Sequence, residues 1–208
     1  MEYKFTQTKM GIDSKYTLEY NNKAIYFGSV EYSDQLAMRI YTKDALVYSL
    51  IYMQSSVEKK EIEKQLVYPL NIFKLTNNID EILGFASLSR NKIFFGYSYF
   101  QIVCGDIVYT GYEIGLGKKG LFLCIYINDM QVALFERNNI IVNNLDTYTV
   151  NTNQHENLEL IFLLGIYYDY LQKRNTANIK YSKTQYILSS TNKELLSKYD
   201  SNFINSIT

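Results

Sequence analysis

The chain has no tryptophan, one proline, one histidine and two cysteines among its 208 residues. Two cysteines are too few for a disulfide framework. Cys104 and Cys124 each fall inside an apolar run, which reads as two buried thiols in a reducing compartment. Together with the lone His155 they cannot complete the usual four-ligand zinc site, so neither a metal nor a cofactor is expected. A charge excess is missing too: 21 Lys and Arg balance 21 Asp and Glu. That excludes a broad electrostatic grip on nucleic acid, which needs a basic surplus against phosphates. Residues 1–10 lack the apolar core of a secretory signal, so a cytoplasmic placement is expected. The most apolar segment, residues 158–171, is 14 residues long and includes Glu159 and Asp169. A spanning helix needs about 20 apolar residues, so no transmembrane segment is expected.

What is present points to β structure. The chain is 47% apolar, with 21 Tyr and 11 Phe, a composition that argues against disorder. Tyr-, Phe-, Ile- and Val-rich runs suit pleated strands. Residues 16–20 and 24–27 flank Asn21-Asn22, and residues 35–42 and 45–53 flank Lys43-Asp44. Residues 100–104 and 107–112 flank Gly105-Asp106, and residues 121–127 and 131–137 flank residues 128–130. Each pair reads as a hairpin. Further strands are expected at residues 72–76, 82–89, 92–97 and 147–151. Hairpins in series imply antiparallel pairing, and a long antiparallel sheet tends to close and abolish its edges.

Three segments interrupt this pattern. Residues 55–66 are charged and carry a capping box, Ser55 with Glu58, for a surface helix or a charged connection. Pro69 ends any helix there. Residues 158–171 are apolar all round, as a helix in a protein core would be. Asn153 and Glu156 supply its start signal, placing the helix at about 153–172. His155 then falls in an exposed first turn, and Asp169 pairs with Lys173 four residues on. After Arg174 the chain turns polar. A last helix is expected from Thr191, boxed by Glu194, with Leu196, Tyr199, Phe203 and Ile207 as one apolar stripe. The division is a domain of residues 1–174 and an appendage of residues 175–208.

Chemistry is harder to find. Gly115, Gly117 and Gly120 form a literal G-x-G-x-x-G, but a strand follows it where a dinucleotide fold needs a helix. It reads as a glycine-rich hairpin exposing Lys118 and Lys119. The H-R-D and D-F-G strings of a kinase are absent, as are nucleophile-elbow, zincin, Walker and EF-hand motifs. No catalytic residue is assigned. Paired carboxylates, with Asp106, Glu113 and Asp146 as candidates, would suit a glycosidase-type site, though no spacing selects them.

The string 123–136, then Asp146-Thr-Tyr-Thr-Val150, then the apolar run 158–171 resemble the closing strands and central helix of the tubby C-terminal superfamily. That superfamily includes the phospholipid scramblases and the plant LURP-one-related proteins, with a bacterial branch, and residues 16–27 resemble its opening hairpin. The resemblance spans about residues 13–174. It implies a mainly β (α+β) fold: a closed antiparallel barrel of about twelve strands around a buried hydrophobic C-terminal helix, with a short tail helix after it. It also implies a non-enzymatic binding module, peripheral to a membrane. Neither the tubby basic cluster nor a scramblase-type calcium loop can be matched, so no residue role is carried over. The expected partner is an anionic lipid headgroup or a protein. Lys118, Lys119, Lys173 and Arg174 are the candidate ligand contacts. One alternative is docking on a protein partner through the C-terminal stripe, and another is an enzyme acting on a small or sugar-like ligand.

Overall fold

The computed structural model describes residues 1–11, 13–54, 56–138, 140–143, 145–153, 157–172, 181–183 and 189–206. In chain order come β1 (Glu2–Lys9), β2 (Lys15–Tyr20), β3 (Lys23–Tyr32), β4 (Leu36–Tyr41), β5 (Leu46–Tyr52) and α1 (Val57–Gln65). Then follow β6 (Leu70–Asn77), β7 (Ile82–Arg90), β8 (Ser98–Cys104), β9 (Ile107–Gly115), β10 (Leu121–Ile127) and β11 (Met130–Arg137). The chain continues through β12 (Ile140–Val142), β13 (Thr147–Thr152), α2 (Leu158–Gln172), β14 (Tyr181–Lys183), α3 (Lys193–Leu196) and α4 (Phe203–Ser206).

Twelve strands close one antiparallel barrel in the order β1-β13-β11-β10-β9-β8-β7-β6-β5-β4-β3-β2. This is the strand number that the resemblance implies. β12 and β14 form a separate two-stranded sheet. The turn chemistry explains the hairpins. Asn21 and Asn22 both take positive φ, at 50° and 60°, as do Asn128 and Asp129, at 48° and 66°. Two successive left-handed residues twist with the strands they join, and Asn and Asp tolerate that region best after glycine. Gly105 supplies the same conformation at φ 56°.

β1 is a strand that the sequence reading omits. Tyr3, Phe5 and Gln7 are buried while Glu2 and Lys4 face out, and the strand closes the ring between β13 and β2. Residues 92–97, read as a strand, form a loop instead. Gly96 lies so close to Lys92 and Asn91 that a Cβ there would fall 2.5 Å from the Lys92 carbonyl oxygen. The Asn91 amide donates to the Tyr97 carbonyl, and the Tyr97 amide donates to Asn91 Oδ1.

Helix α1 lies on the surface with no buried residue, and its cap is Ser56, one residue later than the Ser55 expected. The Ser56 hydroxyl accepts from the Lys59 amide at 3.1 Å. Helix α2 is buried all round, with Leu158 and every residue from Leu160 to Asp169 shielded from solvent. It begins at Leu158, not at the Asn153 expected. The carbonyl of Asn157, whose own φ is 58°, accepts from the Leu160 and Ile161 amides. His155 and Glu156 lie outside the described residues.

The contacts of α2 reach many strands. Phe162 meets Phe5 of β1, Tyr167 meets Phe73 of β6, and Tyr168 meets Phe100 of β8 and Tyr148 of β13. Gly28 of β3 leaves room for Ile166, and Gly111 of β9 for Leu164. β3 and β9 stand six places apart in the ring of twelve.

The tail differs from the single helix expected. α3 and α4 are one turn each, and α3 is capped by Asn192, whose Oδ1 accepts from the Leu195 amide. Leu195 and Phe203 bury against Ile114, Phe122, Cys124 and Leu134 on the opposite side of the barrel wall from α2. Leu196 and Tyr199 are partly buried there, and Ile207 lies outside the described residues. The apolar stripe is thus used within the chain.

Candidate functional site

In an antiparallel ring of consecutive neighbours, the connections alternate between two ends. One end carries tight turns, at residues 21–22, 42–45, 78–81, 105–106 and 128–129. The other carries the connections at residues 10–14, 33–35, 53–69, 91–97, 116–120 and 138–146, all but 33–35 of them longer than any tight turn. The two ends differ in what they expose.

At the loop-bearing end, Ile93, Phe94 and Phe95 project into solvent with 52%, 77% and 98% of their surface exposed. An apolar aromatic pair so exposed is unusual, because burying one such side chain is worth roughly 2–3 kcal/mol. The exposure is held in place. Asn91 clamps the loop base, as above, and Asn192 Nδ2 donates to the Phe95 carbonyl at 3.2 Å. Glu194 accepts from Tyr97 Oη at 3.2 Å and pairs with Lys92 at 3.4 Å. Beside the tip, Tyr68, Pro69, Leu70, Arg90 and Ile93 line a shallow cleft of about 300 Å³. Val67, Tyr68 and Leu70 are themselves exposed.

Lys118 and Lys119 belong to the same end. They are exposed on a 3-10 turn, Gly117–Lys119, between β9 and β10. The glycines have a packing reason. Leu116 bridges Ser189, the Gly115 amide donates to Ser190 Oγ at 3.0 Å, and a Cβ on Gly117 would fall 2.9 Å from Ser189 Oγ. The same tail segment reaches Phe95 at Asn192, three residues beyond Ser189. Lys173 and Arg174 lie outside the described residues.

Beneath this end is a buried polar network. Arg137, with its side chain 0% exposed, pairs with Asp146 through Nε at 2.7 Å and also through Nη2. Gln7 joins them, its amide donating to the Asp146 carbonyl and its Oε1 accepting from the Asp146 amide. Asp169 accepts from Tyr148 Oη at 2.6 Å and from Tyr16 Oη at 3.0 Å. Burial and the nearby Asp146 push the Asp169 carboxyl up to about 6, against the pull of those two phenols and of Arg137. Burial also raises the Tyr16 and Tyr148 phenols. Asp169 therefore belongs to the core, and the pair expected with Lys173 falls on a residue outside the described ones.

The carboxylates considered for catalysis are not assembled into one site. Asp106 lies at the tight-turn end, whereas Asp146 lies at the loop end in its pair with Arg137. Glu113 accepts from Tyr168 Oη at 2.7 Å. Cys124 is buried and its thiol is pushed up to about 12, while Cys104 is half-buried rather than buried. Among the described residues no group of His, Cys, Asp and Glu is placed to hold a metal ion, and no helix is long and apolar enough to cross a membrane.

The apolar tip escaped the sequence reading because Ile93-Phe94-Phe95 has the composition of a buried strand. The signal that separates them is Asn91 with Gly96, a loop-closing pair around three apolar residues. Comparison with family models, curated proteins and solved structures found no match.

Proposed function

We propose that this protein is a non-enzymatic binding module of the tubby-like type that associates with an anionic membrane surface through the loop-bearing end of its barrel. We infer that α2 runs inside the barrel. Its side chains reach strands on opposite sides of the ring, so among the described residues protein side chains occupy the space a substrate would need there. Ligand recognition then falls to the outer surface. The observation that carries the reading is the placing of exposed Lys118 and Lys119 at the same end as a fixed, exposed apolar tip. Lysines near an anionic bilayer contribute roughly 1 kcal/mol each, and adjacent apolar side chains add to that.

Co-sedimentation with vesicles of phosphatidylcholine alone, or with about a third phosphatidylserine, tests the reading. Binding is expected to the anionic vesicles at low salt and to weaken as salt screens the lysines. Lys118→Glu with Lys119→Glu is expected to weaken it by about tenfold or more. No pelleting with anionic vesicles at low salt overturns the reading.

A further inference from the structure

We propose that Ile93, Phe94 and Phe95 form a wedge that enters the interfacial layer of the bilayer, so that the barrel stands end-on with its tight turns facing away. This rests on the membrane reading above and adds the inserting residues and the orientation. Three observations carry it.

The first is shape. Phe95 is 98% exposed at a loop apex with φ 57°, so it projects beyond its neighbours and does not line a groove. A concave partner pocket could receive such a projection, but a bilayer receives it without any matching shape. The second is rigidity. Left-handed φ is costly for a bulky aromatic, on the order of 1 kcal/mol, and persists only where surroundings enforce it. Here Asn91, Gly96 and Asn192 enforce it. A loose loop would fold its phenylalanines back onto the barrel, whereas this one is held open. The third is the flanking chemistry. Arg90 and Lys92, the latter paired with Glu194, both precede the apolar triplet in sequence, and Tyr68 stands beside it across the cleft. Cations and a tyrosine around an apolar point match the headgroup layer over the acyl boundary. The tight-turn end also exposes apolar residues, Ile79, Ile82, Ile107 and Met130, but they are spread over three separate turns and are not joined in one projecting triplet.

The chain has no tryptophan, so a single one introduced at the tip reports on its surroundings without background. Phe95→Trp and, at the opposite end, Ile79→Trp are made in the full chain and titrated with the anionic vesicles. The Phe95→Trp emission is expected to shift to the blue and to be quenched by lipids brominated on the upper acyl chain, while Ile79→Trp stays unchanged. Phe94→Ser with Phe95→Ser is expected to lower vesicle affinity by at least about tenfold, the scale of two aromatic side chains no longer buried. If the vesicles pellet the protein but the Phe95→Trp signal does not move, or Ile79→Trp moves instead, the wedge is overturned while membrane association stands. If wild-type protein does not pellet at all, both fall. A blue shift that grows with protein concentration in the absence of vesicles assigns the tip to a second copy of the chain and also overturns the wedge.

Discussion

The phenol of Tyr148, on β13, donates a 2.6 Å hydrogen bond to Oδ1 of Asp169, near the far end of α2. Tyr16 serves the other carboxyl oxygen, so one acid of the helix is tied to two strands. The arrangement holds a carboxyl in the core at a pKa of about 6 against an ordinary 3.8, because burial and Asp146 outweigh the two phenols and Arg137. The native state therefore keeps this proton through a window in which the unfolded chain has released it. Stability from this group is fullest below about pH 4 and is lost as pH rises from about 4 to about 6.

Asp169→Asn removes that titration while keeping the shape. Relative to wild type, the variant is expected to gain stability progressively across that window and then to hold a constant advantage of a few kcal/mol above it. Urea unfolding at a series of pH values measures the difference. A difference that does not change between about pH 4 and pH 8 contradicts the assignment.

Arg137 meets Asp146 in the same interior, and breaking a buried pair from one side leaves an uncompensated charge. Arg137→Ala is expected to cost on the order of 3–5 kcal/mol. Arg137→Met combined with Asp146→Leu is expected to recover most of that loss, since apolar replacements of similar size remove both desolvation penalties. Denaturant titration of the two single variants and the pair gives the coupling. Because Arg137 lowers the Asp169 carboxyl, Arg137→Ala should also carry the Asp169 titration to higher pH.

Much of the barrel was legible because its hairpins obey local rules. Asn21-Asn22 and Asn128-Asp129 announce turns that need left-handed backbone, and the flanking runs have strand composition. β1 was equally regular, with Tyr3, Phe5 and Gln7 inward, but no adjacent hairpin turn drew attention to it. Ile93-Phe94-Phe95 misled in the opposite direction. Composition reports what a segment would gain by burial, and this segment is kept from burial by contacts to Asn192 and Glu194, about a hundred residues away. The tail failed for a related reason: Leu196, Tyr199 and Phe203 have helical spacing, yet the chain reaches the barrel wall with two separate turns. The site needs several loops brought to one end, and strand alternation supplies that only once the ring is known to close.

Gly165 offers a test of α2 by the sign of an effect. In an exposed helix, Gly→Ala stabilises by about 1 kcal/mol through propensity. Here a Cβ would fall 2.6 Å from Cε1 and 3.0 Å from Cζ of Phe135, atoms of a rigid ring on β11. Gly165→Ala is expected to destabilise by about 1–3 kcal/mol net of the propensity gain. Adding Phe135→Leu should relieve part of the clash. Gly28→Ala meets chiefly the flexible tip of Ile166, at 2.4 Å, with Tyr16 Cβ at 3.3 Å, and should cost less. A more stable Gly165→Ala, by thermal unfolding, would mean that the helix is not enclosed.

The docking of the tail is open to test through Cys124. That thiol is buried beneath Phe122, Leu195 and Phe203 and is held protonated by burial. In a Cys104→Ser background it is the one thiol left, and it is expected to resist alkylation at pH 8 for as long as the tail is seated. Phe203→Ser removes an anchor from the tail without touching the barrel wall. Alkylation is then expected to speed up by tenfold or more while far-ultraviolet dichroism keeps its β signature, because only a local undocking separates the two states. If Cys124 reacts at the same slow rate in both proteins, Phe203 is not what seals it, and the apolar stripe is again free to meet a protein partner.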